Sequence, residues 1–297
     1  WLGCVLWSAL LIEVVFLFNY GEYYNWWDGR PFRVVTFMVP VTFYFALQRM
    51  RHIRHPYIAP EAWLYKRLLP LLAVFALVEL INSTPKILQN TFTSGVLHFG
   101  AMSTSVFYLV EWAGTICGCM FVMFSIKVLR QKFTRLLTVG LMALLAYEVQ
   151  MYLMVTPGLD IESLFIPIFC RTFGVAIFFT ALTIYLEELM PFQHFFMGLT
   201  MVGFIRNGVV DTICSGIYSF SLRHHIAENF ARAMPYDATQ VILVSLKQLF
   251  GVTCIIATVV LLIFLVWDIQ PVRDTLKRMP YWSVVGRLLR RQMSSGK

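Results

Sequence analysis

Residues 161–187 read IESLFIPIFCRTFGVAIFFTALTIYLE, and between Glu162 and Glu187 the run carries a single charged side chain, Arg171. A helix rises about 1.5 Å per residue and the hydrocarbon core of a bilayer is roughly 30 Å thick, so about 20 mostly apolar residues suffice to cross it. This run has that length, and it lacks the alternation of a membrane-barrel strand. Seven further runs share its character, over about 1–19, 31–49, 67–90, 103–127, 134–155, 194–220 and 248–268. With 59% hydrophobic against 13% charged residues and 26 Phe, a water-soluble fold of 297 residues has no way to hide this much apolar surface. Lipid supplies no hydrogen bonds to stray backbone groups, so each run is predicted to be a helix. The fold class is therefore all-α: a polytopic membrane protein with about eight transmembrane helices.

The net charge of +8 does not point to nucleic acid, because the basic residues fall between the apolar runs rather than on one soluble face. Arg49, Arg51, Arg54, Lys66 and Arg67 join the second span to the third, and Lys127, Arg130, Lys132 and Arg135 join the fourth to the fifth. Arg273, Lys277, Arg278, Arg287, Arg290, Arg291 and Lys297 come after the eighth. Since cytoplasmic links collect Lys and Arg, all three segments are predicted to be cytoplasmic, which places both ends of this chain inside. The link around Glu187, Glu188 and His194 also falls on that side and carries no Lys or Arg; acids weigh little in the rule. Tyr20, Tyr23, Tyr24, Trp26 and Trp27 sit on an outer link, as an interfacial aromatic belt does. The six cysteines lie inside spans without zinc or disulfide spacing and read as small packing residues. Trp1-Leu2-Gly3 already belongs to an apolar run, from which a preceding N-terminal part of the same chain is expected.

Charges inside spans are the informative residues, because each costs at least about 2.5 to 3.5 kcal/mol at the bilayer centre unless a partner or a wet cavity receives it. In the third span Glu79, Asn82, Ser83 and Lys86 stand at i, i+3, i+4 and i+7 and form one polar strip. The strip lines a cavity, or Glu79 and Lys86 neutralise one another or neighbouring helices. In the fourth span Thr104, Tyr108, Glu111, Thr115 and Gly118 make a second polar face, and Gly114 with Gly118 predicts close helix packing. Asn207, Asp211 and Ser215 share a face of the seventh span, with Arg206 pointing away from it, so Arg206 and Asp211 each seek a different helix. Arg171 is one candidate partner for either acidic face. The substrate and proton pathway candidates are thus Glu79, Asn82, Ser83, Lys86, Glu111, Arg171, Arg206, Asn207 and Asp211. Glu13 and Glu148 have weaker polar surroundings and read as structural or rim residues. His224 and His225 read as a solvated interfacial pair rather than a metal site. No nucleophile elbow, phosphate loop, HExxH or dinucleotide glycine pattern occurs, so neither catalysis nor a cofactor has a positive signal.

The run Phe169-Cys-Arg171-Thr-Phe-Gly174-Val-Ala-Ile-Phe-Phe179-Thr-Ala-Leu-Thr183 resembles the eleventh-to-twelfth-helix region of the EmrB/QacA-type drug:proton antiporters, major facilitator transporters with fourteen spans. Phe204-Ile-Arg206-Asn-Gly208, the basic Arg223-His224-His225 and the closing Val266-Trp267-Asp268 resemble the next helix of that family and the stretches beyond it. Trp1-Leu-Gly3 and the Tyr24-Asn-Trp26-Trp27 turn resemble its seventh span and the approach to its eighth. The resemblance implies spans seven to fourteen: two transmembrane linker helices over 1–50, a cytoplasmic linker over 51–66, a six-helix C-terminal bundle over 67–270 and a basic cytoplasmic tail over 271–297. It also implies that the first-half antiporter motif and the proton-carrying acid lie upstream. The cytoplasmic Gly/Asp/Arg loop of the family has only a degraded counterpart in Lys127-Val-Leu-Arg130-Gln-Lys132-Phe-Thr-Arg135.

These readings favour a transporter of the inner (plasma) membrane, with a small amphipathic substrate, protons and lipid as partners. A non-transporting scaffold or adaptor-binding half is the first alternative and an intramembrane enzyme the second. The outer segment from about Ser221 to Lys247 places Ile226, Phe230 and Met234 at four-residue intervals. That strip is expected to pack on its own bundle or at the interface; by resemblance, a periplasmic adaptor with an outer-membrane channel is the other occupant.

Overall fold

The computed structural model describes residues 2–21, 23–24, 26–53, 68–128, 133–189, 192–232 and 237–266. The described residues are helical, with turns between helices and no strand. α1 (Leu2–Tyr20), α2 (Arg30–His52), α3 (Leu68–Asn82), α4 (Ala101–Lys127), α5 (Phe133–Met154), α6 (Phe165–Leu189), α7 (Phe192–Phe204), α8 (Asp211–Arg232) and α9 (Ala238–Val266) succeed one another in chain order. Among the described residues six helical stretches are long and apolar enough to cross a membrane: Leu2–Tyr20, Arg30–His52, Ala101–Lys127, Arg135–Met154, Ile161–Glu187 and Ala238–Ile263. This is a multi-pass membrane architecture, and large apolar side chains such as Phe37, Trp112 and Met102 face outward, where lipid receives them.

The third and seventh predicted spans are helical but not uniformly α. After α3 the chain continues as π-helix over Pro85–Gln89 and Thr91–Val96, and between α7 and α8 as π-helix over Ile205–Val210. Proline has no N–H and therefore removes an i→i−4 bond, which accounts for the break at Pro85. The helices on either side of the outer segment are longer than predicted: α8 runs on to Arg232 and α9 begins at Ala238, so most of residues 221–247 belong to these two helices. Asn229 Nδ2 ties these helices together by donating to Ser245 Oγ at 2.8 Å and Gln248 Oε1 at 3.1 Å. Ile226 packs on the core and Phe230 is exposed, while Met234 lies outside the described residues.

Close contact of α4 with α6 has its cause in Gly114 and Gly118: a Cβ on the first would stand 2.1 Å from Thr172 Oγ1, and one on the second 2.7 Å from the Ala176 Cβ. Gly140 and Gly174 bring α5 and α6 together in the same way, a Cβ on Gly174 meeting the Gly140 carbonyl oxygen at 2.7 Å. α1 packs on α2 and on α8, so the first two helices lean on the bundle. The predicted linker over 51–66 and tail over 271–297 fall outside the described residues apart from 51–53.

The buried apolar side chains form two clusters. One contains Phe75, Ile81, Leu144, Ile177 and Ala257; the other contains Leu88, Tyr147, Ile168, Cys214 and Phe250. Along α3, α6 and α9 the sequence passes from one cluster to the other through polar residues: Ser83 and Thr84, Arg171 and Thr172, and Thr253. A polar layer thus divides an otherwise apolar core.

Candidate functional site

In that layer α3 and the π-helix Pro85–Gln89 that continues it face the π segment 205–210 and the start of α8 across two ion pairs. Arg206 Nε donates to Glu79 Oε2 at 3.2 Å, and Asn82 Nδ2 donates to Glu79 Oε1 at 3.1 Å. Lys86 Nζ donates to Asp211 Oδ2 at 2.5 Å. The Arg206 guanidinium also lies 3.6 Å from the centre of the Phe179 ring, a cation–π contact supplied by α6. The two rungs differ in access: the Glu79 side chain is 5% exposed, whereas Lys86 is 57% exposed. One rung is dry on its acidic side and the other opens at its cation. Asp211 Oδ1 is buried with no hydrogen-bond partner among the described residues.

The π turn explains how Arg206 and Asp211 both reach α3. Five residues apart in an α-helix they would point about 140° away from each other, at 3.6 residues per turn. Here the Asp211 N–H bonds the Arg206 carbonyl, an i→i+5 turn that brings the two side chains close to one face. Each pairs outside its own helix, Arg206 with Glu79 of α3 and Asp211 with Lys86 of the π-helix that continues it, and neither meets the helix bearing Arg171. Glu79 and Lys86 do not pair with one another; each meets an opposite charge on the neighbouring helix, which is the other form of the neutralisation alternative.

The remaining candidates separate from this ladder. Arg171 of α6 donates to Glu111 of α4 in a charge-assisted bond away from both rungs, and the Arg171 Nε has no partner among the described residues. Ser83 is buried and donates to the Leu80 carbonyl of its own helix at 3.1 Å, so it takes no part in the open strip. Asn207 belongs to the π segment, and its side chain lies outside the described residues. Glu13 accepts a bond from Thr42 at 2.8 Å and ties α1 to α2, in keeping with a structural reading.

Glu148 is the residue that spacing does not select. It is 0% exposed, with Thr84 Oγ1 2.7 Å from its Oε1 and Thr253 Oγ1 2.7 Å from its Oε2. No Lys, Arg or His forms an ion pair with it among the described residues. Beside it, the Tyr147 hydroxyl donates to Gln89 Oε1 at 2.9 Å. A carboxyl group thus joins α5 to the end of α3 and to α9 through two hydroxyls. The sequence signal that leads here is Thr84-Pro85, a hydroxyl beside a helix break.

A groove of about 640 Å³ opens where α8 and α9 meet α5, lined in part by Tyr152, His225, Glu228, Asn229, Lys247 and Gln248. His225 Nδ1 is 4.0 Å from Glu228 Oε2, and the Lys247 ammonium is 5.4 Å from the centre of the Tyr152 ring. Three His, Cys, Asp or Glu side chains do not converge as a metal site among the described residues.

Comparison of the sequence with protein-family models and with curated proteins gives no match.

Proposed function

We propose that this protein is a multi-pass transporter that moves an amphipathic, preferably cationic, small molecule by alternating access, with proton coupling. The observation that carries the reading is the pair of cross-helix ion bridges, Glu79–Arg206 with its acid buried in an apolar bundle and Lys86–Asp211 with its cation exposed, set where both helical segments leave α geometry. Charges at membrane depth persist where they pair or line a watery path, and helix irregularities are tolerated there because protein or water satisfies the freed backbone. π turns are concentrated at functional sites because they re-aim side chains at a cost in helix regularity. An ion bridge with one exposed cation can exchange its internal partner for a charged substrate, which a purely structural bridge has no need to do.

Eight spans fit this reading if the segments 68–96 and 192–232 cross as the other six do, each around its π irregularity. The likeness to spans seven to fourteen of EmrB/QacA-type antiporters is part of the same proposal: α1 and α2 would be the linker helices, and α3 to α9 the C-terminal bundle of a major facilitator transporter in the inner membrane. The chain's own observations support transport more directly than they support that family.

The test is extrusion of an amphipathic cation, ethidium, from cells producing the full-length protein. Faster efflux than in cells lacking it, abolished by a protonophore, supports the proposal. Efflux no faster than in cells lacking the protein, for ethidium and for a panel of neutral and anionic amphipathic dyes alike, would remove it and leave the scaffold reading.

A further inference from the structure

The geometry points to Glu148 as a proton-binding site, a carboxylic acid held neutral between α3, α5 and α9. The hydrogen bonds that its neighbours must make lead to this. Four residues after Ile81 stands Pro85, which has no N–H, so the Ile81 carbonyl has no i→i−4 donor, and the next N–H, that of Lys86, goes to the Ser83 carbonyl at 3.2 Å; the partner of the Ile81 carbonyl is Thr84 Oγ1 at 2.9 Å. A hydroxyl has one hydrogen to donate. If Thr84 gives it to the Ile81 carbonyl, Thr84 Oγ1 can only accept from Glu148 Oε1, and the hydrogen between them belongs to the carboxyl group. If Glu148 is ionised, Thr84 must turn its hydrogen to the carboxylate, and the buried Ile81 carbonyl is left without a donor.

On the other side the same conflict does not arise. Thr253 Oγ1 lies 2.9 Å from the Phe250 carbonyl, but that carbonyl has the Cys254 N–H four residues on, inside α9. Thr253 is therefore free to donate to Glu148 Oε2. One proton on Glu148 satisfies every group: Thr253 to Oε2, Oε1–H to Thr84, and Thr84 to Ile81. A bare carboxylate would in addition be buried without a bonded cation among the described residues, an unfavourable state in a low-dielectric interior.

Among the described residues the titratable neighbours do not supply a bonded counter-charge. Arg171 of α6 acts on Glu148 from a distance while bonded to Glu111; Tyr147 of α5, Tyr218 of α8 and Cys254 of α9 are uncharged when protonated. The Tyr218 hydroxyl is engaged with the Leu80 carbonyl at 2.9 Å. Because Thr84 adjoins Pro85 and Lys86, loss of the proton would draw Thr84 away from the helix end that carries the Lys86–Asp211 bridge. This last link makes Glu148 a coupling site and rests on the transport reading; the site itself does not.

Infrared absorption of the purified full-length protein in lipid at neutral pH, with no substrate added, tests the assignment separately from transport. The expected result is a carbonyl band of a buried protonated carboxyl that is lost in Glu148→Gln and retained in Glu79→Gln. The amide introduced by Glu148→Gln can donate to Thr84 and accept from Thr253, so that variant keeps the hydrogen-bond pattern. Should it fail to fold, Thr84→Val gives a second reading: removing the acceptor moves the band to higher frequency. Absence of the band in the unaltered protein, its survival in Glu148→Gln, or an unshifted band in Thr84→Val would overturn the assignment.

Discussion

Glu79→Gln is the perturbation whose outcome the ladder fixes most closely. The substitution keeps side-chain length and an acceptor for Asn82, and it removes the negative charge that Arg206 meets at 3.2 Å. Stripping one partner from a buried ion pair costs about 3–5 kcal/mol; Arg206 keeps its contact with Phe179 and is 32% exposed, so roughly half of that, about 2 kcal/mol, is expected here. At about 1.4 kcal/mol per factor of ten, the folded population falls roughly thirty-fold relative to the unfolded. Apparent Tm by fluorescence-detected size exclusion reads this loss. Glu79→Gln combined with Arg206→Met, which leaves neither charge, should regain most of the Tm, whereas Glu79→Gln combined with Lys86→Met should not, since Lys86 answers to Asp211. Rescue by Lys86→Met but not by Arg206→Met would refute the pairing.

Packing and topology carry further consequences. Gly174→Leu drives a side chain into the Gly140 backbone and should cost about 3 kcal/mol, the upper end of the usual overpacking range, seen as loss of the monodisperse peak, while Gly203→Ala, whose added Cβ meets nothing within 4 Å, should keep it. Pro85→Ala restores an N–H to the Ile81 carbonyl and should raise Tm by the equivalent of about 1 kcal/mol; a fall would show that the break is required by its surroundings. Single cysteines at Trp27 and Asp160 should react with an impermeant reagent from the opposite side to cysteines at His52 and Lys127, and labelling of all four from one side would sink the proposed topology.

Much of the helical layout is legible in the sequence because lipid leaves a long apolar run one way to satisfy its backbone. Six of the eight predicted runs correspond to stretches that meet the length and hydropathy of a span. The boundaries fail where polar residues continue a helix: α9 starts at Ala238, not near residue 248, since Ser245, Lys247 and Gln248 at its start lower the local hydropathy without breaking the helix. Nor does periodicity at 100° per residue foresee a π turn, so by spacing alone Arg206 and Asp211 fall on different faces. Glu79, Lys86, Arg206 and Asp211 are recognisable as the charged members because a charge within a long apolar run stands out by itself. Their pairing is not, since spacing within a helix says nothing of the register between helices; Arg171 meets Glu111 for reasons of α4–α6 packing. Glu148 is invisible to spacing because its two hydroxyl partners stand 64 and 105 residues away and its own helix offers no polar repeat.

The central claim, that the α3 ladder serves transport rather than packing alone, meets its most direct test in proton flux from liposomes containing the full-length protein, driven by an ethidium gradient. The charge-free variant Glu79→Gln with Arg206→Met provides the comparison at matched abundance. The account predicts ethidium-dependent flux in the unaltered protein and at least a roughly ten-fold loss in the variant, the equivalent of about 1.4 kcal/mol. Equal flux from both proteins would contradict it.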